Sequence, residues 1–284
     1  MSATSGPWSV ALRRLRRDRV AIGAAAAIVI LALAALLAPL IAPYPPNAQP
    51  DIVGMATLPP SGAHPFGTDV FSRDVLTRVM YGGRVSLGVA VLSIALSITI
   101  GTAYGAVAGY VGGATEAAMM RLIDALLAVP RVLLLLLALA LWGAVGLPAL
   151  ILMLGLTGWF GTSRLVRERV RALSRGEFAL AARALGASHA RVLWRHVLPS
   201  ALTPVIVAAT LGIGNVVVLE ASLSYLGIGV RPPNASWGNI IQEGSEQIAS
   251  GWWIALFPGL AILVTVVAFN LLGDALRDAL DPRK

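Results

Sequence analysis

The 284-residue sequence contains no cysteine and one lysine, Lys284, at its last position. Without cysteine there are no disulfides, thiolate metal sites or cysteine nucleophiles. With no earlier lysine, the phosphate-binding pattern G-x-x-x-x-G-K-[ST] cannot occur, so this chain binds no ATP through such a loop. Histidine is nearly absent, and His64, His189 and His196 are too scattered to suggest a metal site. Neither H-E-x-x-H nor G-x-S-x-G occurs, and Asp124, Glu220 and Asp274 form no obvious dyad, so no catalytic residues are assigned. Charge is scarce too: 13% of residues are charged, against about 25% in soluble domains.

What remains is mostly apolar. Hydrophobic residues make up 57% of the chain and the mean hydropathy is +0.79, which points to a bilayer as solvent. A spanning helix needs about 20 mostly apolar residues. Six segments qualify: 20–42, 85–110, 122–142, 148–162, 203–228 and 253–272, the fourth being short. The first follows arginines, as a signal peptide would. It is too long for a cleaved apolar core of about 7–15 residues and lacks a clear cleavage site, so an uncleaved anchor is expected.

The net charge is +8. A basic chain can bind nucleic acid, but here the arginines border the apolar runs, the pattern that sets membrane topology. Arg13, Arg14, Arg16, Arg17 and Arg19 precede the first span. Arg164, Arg167, Arg169, Arg171, Arg175, Arg183, Arg191 and Arg195 follow the fourth. Segment 44–83 holds only Arg73 and Arg78 beside Asp51, Asp69 and Asp74, and segment 229–252 holds Arg231 beside Glu243 and Glu246. Six spans with both termini in the cytoplasm place every arginine-rich segment inside. The chain then divides into a basic N-terminus (1–19), a first span (20–42), an outer loop with an interfacial helix (43–84), a core (85–273) with a cytoplasmic insert (163–202), and a C-terminal tail (274–284). The outer loop is rich in proline and glycine, hence extended and irregular. Its end, "SRDVLTRVMYGGRVSL", has helical apolar spacing and is expected along the interface. No internal repeat is clear, which disfavours the inverted-repeat plan of many secondary transporters.

The insert contains "EFALAARALGASHARVLWRHVLP" (177–199). Phe178, Ala181, Ala182 and Leu185 fall at i, i+3, i+4 and i+7, one apolar stripe of a short helix, with Arg183 pointing elsewhere. Gly186 follows at once and suits a left-handed cap. A second short helix is expected over 189–196, with Pro199 at the foot of the fifth span. The spacing leaves two uses open: a basic anchor on anionic lipid or a docking face for a partner. Polar residues inside spans are costly and often functional. Glu220 lies toward the outer end of the fifth span, with Asn215 deeper and Ser224 at i+4. Asp124 and Arg131 are seven apart, roughly on one face, with Pro130 as a kink between them. Asn270 and Asp274 are expected to serve the helix end.

The insert resembles the EAA loop of ABC importer permeases, with Ala181, Ala182, Gly186, Leu198 and Pro199 matching and Leu180 where that family often has glutamate. "HPFGTDVFSRDVLTRVMYGGRVSL" (64–87), "LEASLSYLGIGVRPPNASWGNII" (219–241) and "FPGLAILVTVVAFNLLGDALRDALDP" (257–282) resemble the C-type permeases of dipeptide and oligopeptide importers. The resemblance implies an all-α membrane protein with the six-helix type I importer permease fold and coupling helices between spans 4 and 5. It implies ATPase coupling through Phe178, Leu180, Ala181, Ala182, Arg183, Leu185 and Gly186, by packing rather than by a glutamate. Asn215, Glu220, Ser224 and Arg131 become candidates for the pathway or its gate. ATP and magnesium would sit in partner subunits, and no cofactor in this chain. Expected partners are a second related permease, one or two ABC ATPases, an extracytoplasmic solute-binding protein and membrane lipid, in a bacterial inner membrane. Dipeptides or oligopeptides are the expected cargo; nickel chelates, glutathione or another small solute are alternatives. A secondary transporter or an intramembrane enzyme is the alternative of a different class.

Overall fold

A computed structural model describes residues 12–142 and 146–280. Its described residues hold no strand, only an isolated antiparallel bridge between Thr68 and Asp74. Helix α1, Arg19–Leu36, starts where the Asp18 side chain accepts from the Val20 and Ala21 amides. A further turn, Ala38–Ile41, carries Pro39 near its start, where a missing N–H costs nothing.

Helix α2, Val75–Val111, runs for 37 residues, about 55 Å at about 1.5 Å per residue. No separate interfacial helix precedes the second span: the expected outer helix and the span are one. Gly82 and Gly83 do not break it because they serve close packing. A Cβ on Gly82 would lie 3.2 Å from the Ser236 carbonyl carbon, and one on Gly83 would lie 3.1 Å from the Trp237 ring.

The third span also departs from expectation. It is a pair, α3 (Gly113–Leu127) and α4 (Arg131–Trp142), bent by 76° at the break before Arg131. Pro130 has no N–H to continue the ladder and its ring opposes the preceding turn. The bend removes the shared face expected for Asp124 and Arg131. Helix α5, Leu147–Ser174, is far longer than the expected 148–162. The arginines after residue 163 extend the helix as good helix formers, so the expected insert begins as a continuation of α5, up to Ser174.

The remaining helices are α6 (Glu177–Ala184), α7 (Thr203–Tyr225), α8 (Trp237–Ser245) and α9 (Ile248–Leu280), the last with non-helical angles at Gly251. Between α6 and α7 the expected 189–196 helix is one turn, His189–Arg191, followed by a π-helical stretch, Val192–Val197. Pro199 lies in a separate turn, Leu198–Ala201, and Pro204 occupies the foot of α7. Five helices (α1, α2, α5, α7, α9) are long and apolar enough to cross a membrane, and the bent pair makes six.

The bundle is held by a stripe of small residues on α2. Ser93 and Ser97 donate to the Ile151 and Gly155 carbonyls of α5. One, two and three turns on, a Cβ at Gly101, Gly105 or Gly109 would lie within 2.8 Å of a carbonyl oxygen of α5. Such small-residue contacts let helices approach closely where lipid gives no hydrophobic drive between them. Val89, Leu135, Leu150, Leu154, Val217, Leu223 and Trp237 fill the centre. The chain between α5 and α7 forms one end of the bundle, the insert end. Residues 44–74 and 226–252 form the other, the platform end.

Candidate functional site

At the insert end, Gly176 and Gly186 bracket α6. Gly186 adopts φ +85°. Its amide donates to the Arg183 carbonyl at 2.9 Å and the Ala187 amide donates to the Ala182 carbonyl at 3.1 Å, the paired bonds of a Schellman cap. The helix is two-faced. Ala179 is 1% exposed and packs with Val166, Val170, Val192, Val197 and Ala106. On the other side Phe178 is 67% exposed, Leu180 53% and Leu185 89%, with Ala181 also exposed. The apolar stripe read from the sequence is therefore divided: Phe178, Ala181 and Leu185 face outward, and Ala182 is half-buried. Arg183 lies inward, its guanidinium over the Tyr110 ring and donating to the Ser174 carbonyl.

The helix ends beneath α6 are tied by charge. Glu116, in the first turn of α3, accepts from Arg167 and from Arg171, the latter at 3.1 Å. Arg164 pairs with Asp124 at an exposed position. Arg131 has no part in that pair. It donates to the Leu154 carbonyl at 2.7 Å and to the Thr157 hydroxyl at 3.2 Å, both on α5.

Glu220 is fully buried in α7. Ser86 of α2 donates to one of its oxygens at 2.7 Å and Ser224 to the other at 2.6 Å. Each hydroxyl in turn accepts a backbone N–H, Trp237 to Ser86 and Val230 to Ser224. The carboxylate thus gathers α2, α7, the following loop and the start of α8. Asn215 is on the opposite side of α7, exposed together with Val218, Ser222 and Tyr225. The structure does not bring Asn215, Glu220 and Arg131 into one site; Glu220 and Ser224 alone are in contact.

The platform end holds what sequence reasoning missed. Its loop has no regular structure, yet it is densely bonded rather than extended. Arg73 donates to Asp69 and to Glu243, each at 2.6 Å. Arg78 donates to Asp69 at 2.7 Å and also pairs with Glu243. Two arginines and two carboxylates therefore close a buried ring between the loop, α2 and α8. Beside it, His64 shares a 2.9 Å hydrogen bond with Asp74, the N-cap of α2, and stacks on Tyr44. Trp253 donates to the Thr68 carbonyl, and Phe66 stacks on Phe257. Arg73 and Arg78 share this stretch with Asp51, Asp69 and Asp74, but Glu243, which closes the ring, lies 165 residues from Arg78. Among the described residues, no cluster of three or more His, Asp and Glu side chains is placed to hold a metal.

Residues 101–284 match the family described as "Binding-protein-dependent transport system inner membrane component". Residues 6–60 match the "N-terminal TM domain of oligopeptide transport permease C". The dipeptide transport system permease protein DppC of Bacillus subtilis (strain 168) is 39% identical over 284 residues, spanning 100% of this chain and 87% of that protein. A putative peptide permease protein of Brucella suis biovar 1 (strain 1330) is 40% identical over 283 residues, 99% of this chain and 93% of the other. The oligopeptide transport system permease protein OppC of Bacillus subtilis (strain 168) is 37% identical over 276 residues, 97% of this chain and 90% of the other. The chain belongs to the family of binding-protein-dependent transport system inner membrane components.

Proposed function

We propose, with that membership as premise, that the chain is one of two related permease subunits of an ATP-driven importer of dipeptides or oligopeptides. The relatives' names support the peptide cargo. The insert end, with both termini, faces the cytoplasm, following the arginine distribution. The platform end faces outward and receives a solute-binding protein. One or two ATPase subunits hold the ATP and magnesium, because this sequence has no phosphate-binding loop. Closure of those subunits moves α6 and switches the bundle between two access states, a rigid-body transition.

The observation that carries this reading is the outward face of α6. Three large apolar side chains are held in water on a two-turn helix, capped at Gly186 and backed by a packed cluster. A face of this kind is stable but incomplete, and an apolar groove on a partner completes it. Phe178 and Leu185 are the anchors, Leu180 and Ala181 flank them, and Ala182 and Arg183 seat the helix. Along the path, Asn215 on the exposed face of α7 meets solute or the second permease. Glu220 with Ser224, being buried, acts in gating, as does Arg131 at the bend of the third span.

Phe178→Glu and Leu185→Glu test the reading. Each variant is expected to insert normally, to lose co-elution of the ATPase subunits, and to lower ATP-dependent peptide uptake at least tenfold. Normal uptake by the double variant, or uptake with no ATPase present, sinks it.

A further inference from the structure

We propose that Tyr110 is a positioning residue that transmits movement of the docking helix α6 to α2. The inference rests on the docking role given to α6 above and adds the route by which its motion reaches the membrane helices.

Tyr110 is the penultimate residue of α2. Its ring receives the Arg183 guanidinium of α6 at 5.5 Å from the centroid. Its hydroxyl lies 3.1 Å from Nδ1 of His189, whose ring stands edge-on to the phenol at 6.0 Å. Arg183 and His189 belong to the two arms of the insert, on either side of the Gly186 cap. One phenol therefore holds both arms at once. Arg183 has no carboxylate partner among the described residues, and its Nε is buried without a hydrogen bond. Its position is set by the ring face and by the Ser174 carbonyl, through a cation–π contact that needs the ring in place.

The chain joins α6 directly to α5 through Arg175 and Gly176. No such link joins α6 to α2, which it meets through Tyr110 and, in the apolar cluster, Ala106. Just beyond Tyr110, Gly112 and Gly113 both take positive φ, +71° and +61°. The chain turns sharply there, so Tyr110 sits in the last turn of α2, next to the insert. At its far end the same helix carries Asp74 and Arg78, which are fixed in the platform network. A single 37-residue helix thus touches the docking element with one end and the outer platform with the other.

The test uses the complete importer in proteoliposomes, with radiolabelled dialanine and trialanine as probes, read as peptide imported per ATP hydrolysed. Tyr110→Ala is expected to keep ATPase co-elution and hydrolysis within twofold of wild type while the ratio falls at least tenfold. Tyr110→Phe keeps the ring under Arg183 and is expected to retain at least half the wild-type ratio. Arg183→Gln is expected to lower the ratio about as far as Tyr110→Ala, and the double variant no further. A wild-type ratio in Tyr110→Ala overturns the proposal. If Tyr110→Ala does not assemble, Arg183→Gln decides by the same ratio. Failure of both to assemble also overturns it, since the pair would then hold the fold rather than pass motion. A wild-type complex that lacks ATPase co-elution or peptide uptake refutes the docking reading instead.

Discussion

At the platform end Arg78 is 2% exposed and shares two carboxylates with Arg73. At the insert end Leu185 is 89% exposed, on a helix that meets the bundle mainly through alanines. Both ends connect long helices, and their construction is opposite. The platform pairs its buried charges with one another. The insert buries its small residues, shows its large ones, and stays separable from the bundle. The difference teaches where stability and function part. Damage at the platform should unfold the protein, whereas damage at the insert should leave it folded and idle.

Arg78→Ala should break this contrast most strongly. Removing one member of a buried charged group leaves the others uncompensated, a loss of about 3–5 kcal/mol. The expected outcome is a large fall in the melting temperature of the detergent-solubilised protein and little membrane insertion. An unchanged melting temperature would show that the ring contributes nothing. Gly105→Val is next. A Cβ there would lie 2.3 Å from the Ser163 carbonyl oxygen, so α2 and α5 must separate, at about 1–3 kcal/mol. Thermal unfolding of the purified chain measures it, and Gly161→Val, with open space around its Cβ, is the control.

Gly186→Val sharpens the comparison. Nothing lies within 4 Å of a Cβ at Gly186, but φ +85° costs a β-branched residue about 1–2 kcal/mol locally. The melting temperature should hold within a few degrees while ATPase affinity falls, read by titration of labelled ATPase onto the reconstituted chain. Unchanged affinity would show that the turn does not place the docking face. Smallest in stability are the Phe178→Glu and Leu185→Glu variants, at about 0.5 kcal/mol or less for exposed sites.

Much of the bundle was legible because periodicity and length are local. The first and fifth spans fall close to where apolar runs placed them, the sixth lies inside the longer α9, and the Gly186 cap lies where a glycine follows an amphipathic turn. The third and fourth spans were less legible. Pro130 announces a break but not its angle, and arginines extend α5 past its apolar stretch because helix propensity does not stop at the membrane edge. The signal for the α2–α5 contact was present in "GTAYGAVAG" (101–109), glycines four apart. What it could not show is that the facing partner is α5.

The candidate site divides in the same way. That Phe178 and Leu185 share one face followed from spacing once α6 was accepted as a helix; that this face is exposed did not. The opposite fates of Asn215 and Glu220, five residues apart on one helix, did not. Which side of α7 is buried depends on Ser86, Val230 and Trp237, from three other segments. The shared face expected for Asp124 and Arg131 failed for a similar reason. Helical spacing assumes an unbroken helix, and the bend gives Asp124 to Arg164 and Arg131 to the α5 backbone.

By itself the sequence determined the solvent of this protein, the number of apolar spans, the end that gathers the arginines, and the absence of a phosphate-binding loop. These follow from composition and from neighbours within a few turns, where one residue's chemistry suffices. Only the tertiary structure decided which charges meet, which face of each helix is covered, and that one helix joins the platform to Tyr110 beneath the docking helix. Those depend on groups as far apart as Arg73 and Glu243, 170 residues along the chain. Their encounter is fixed by how the whole bundle packs, which no local pattern records.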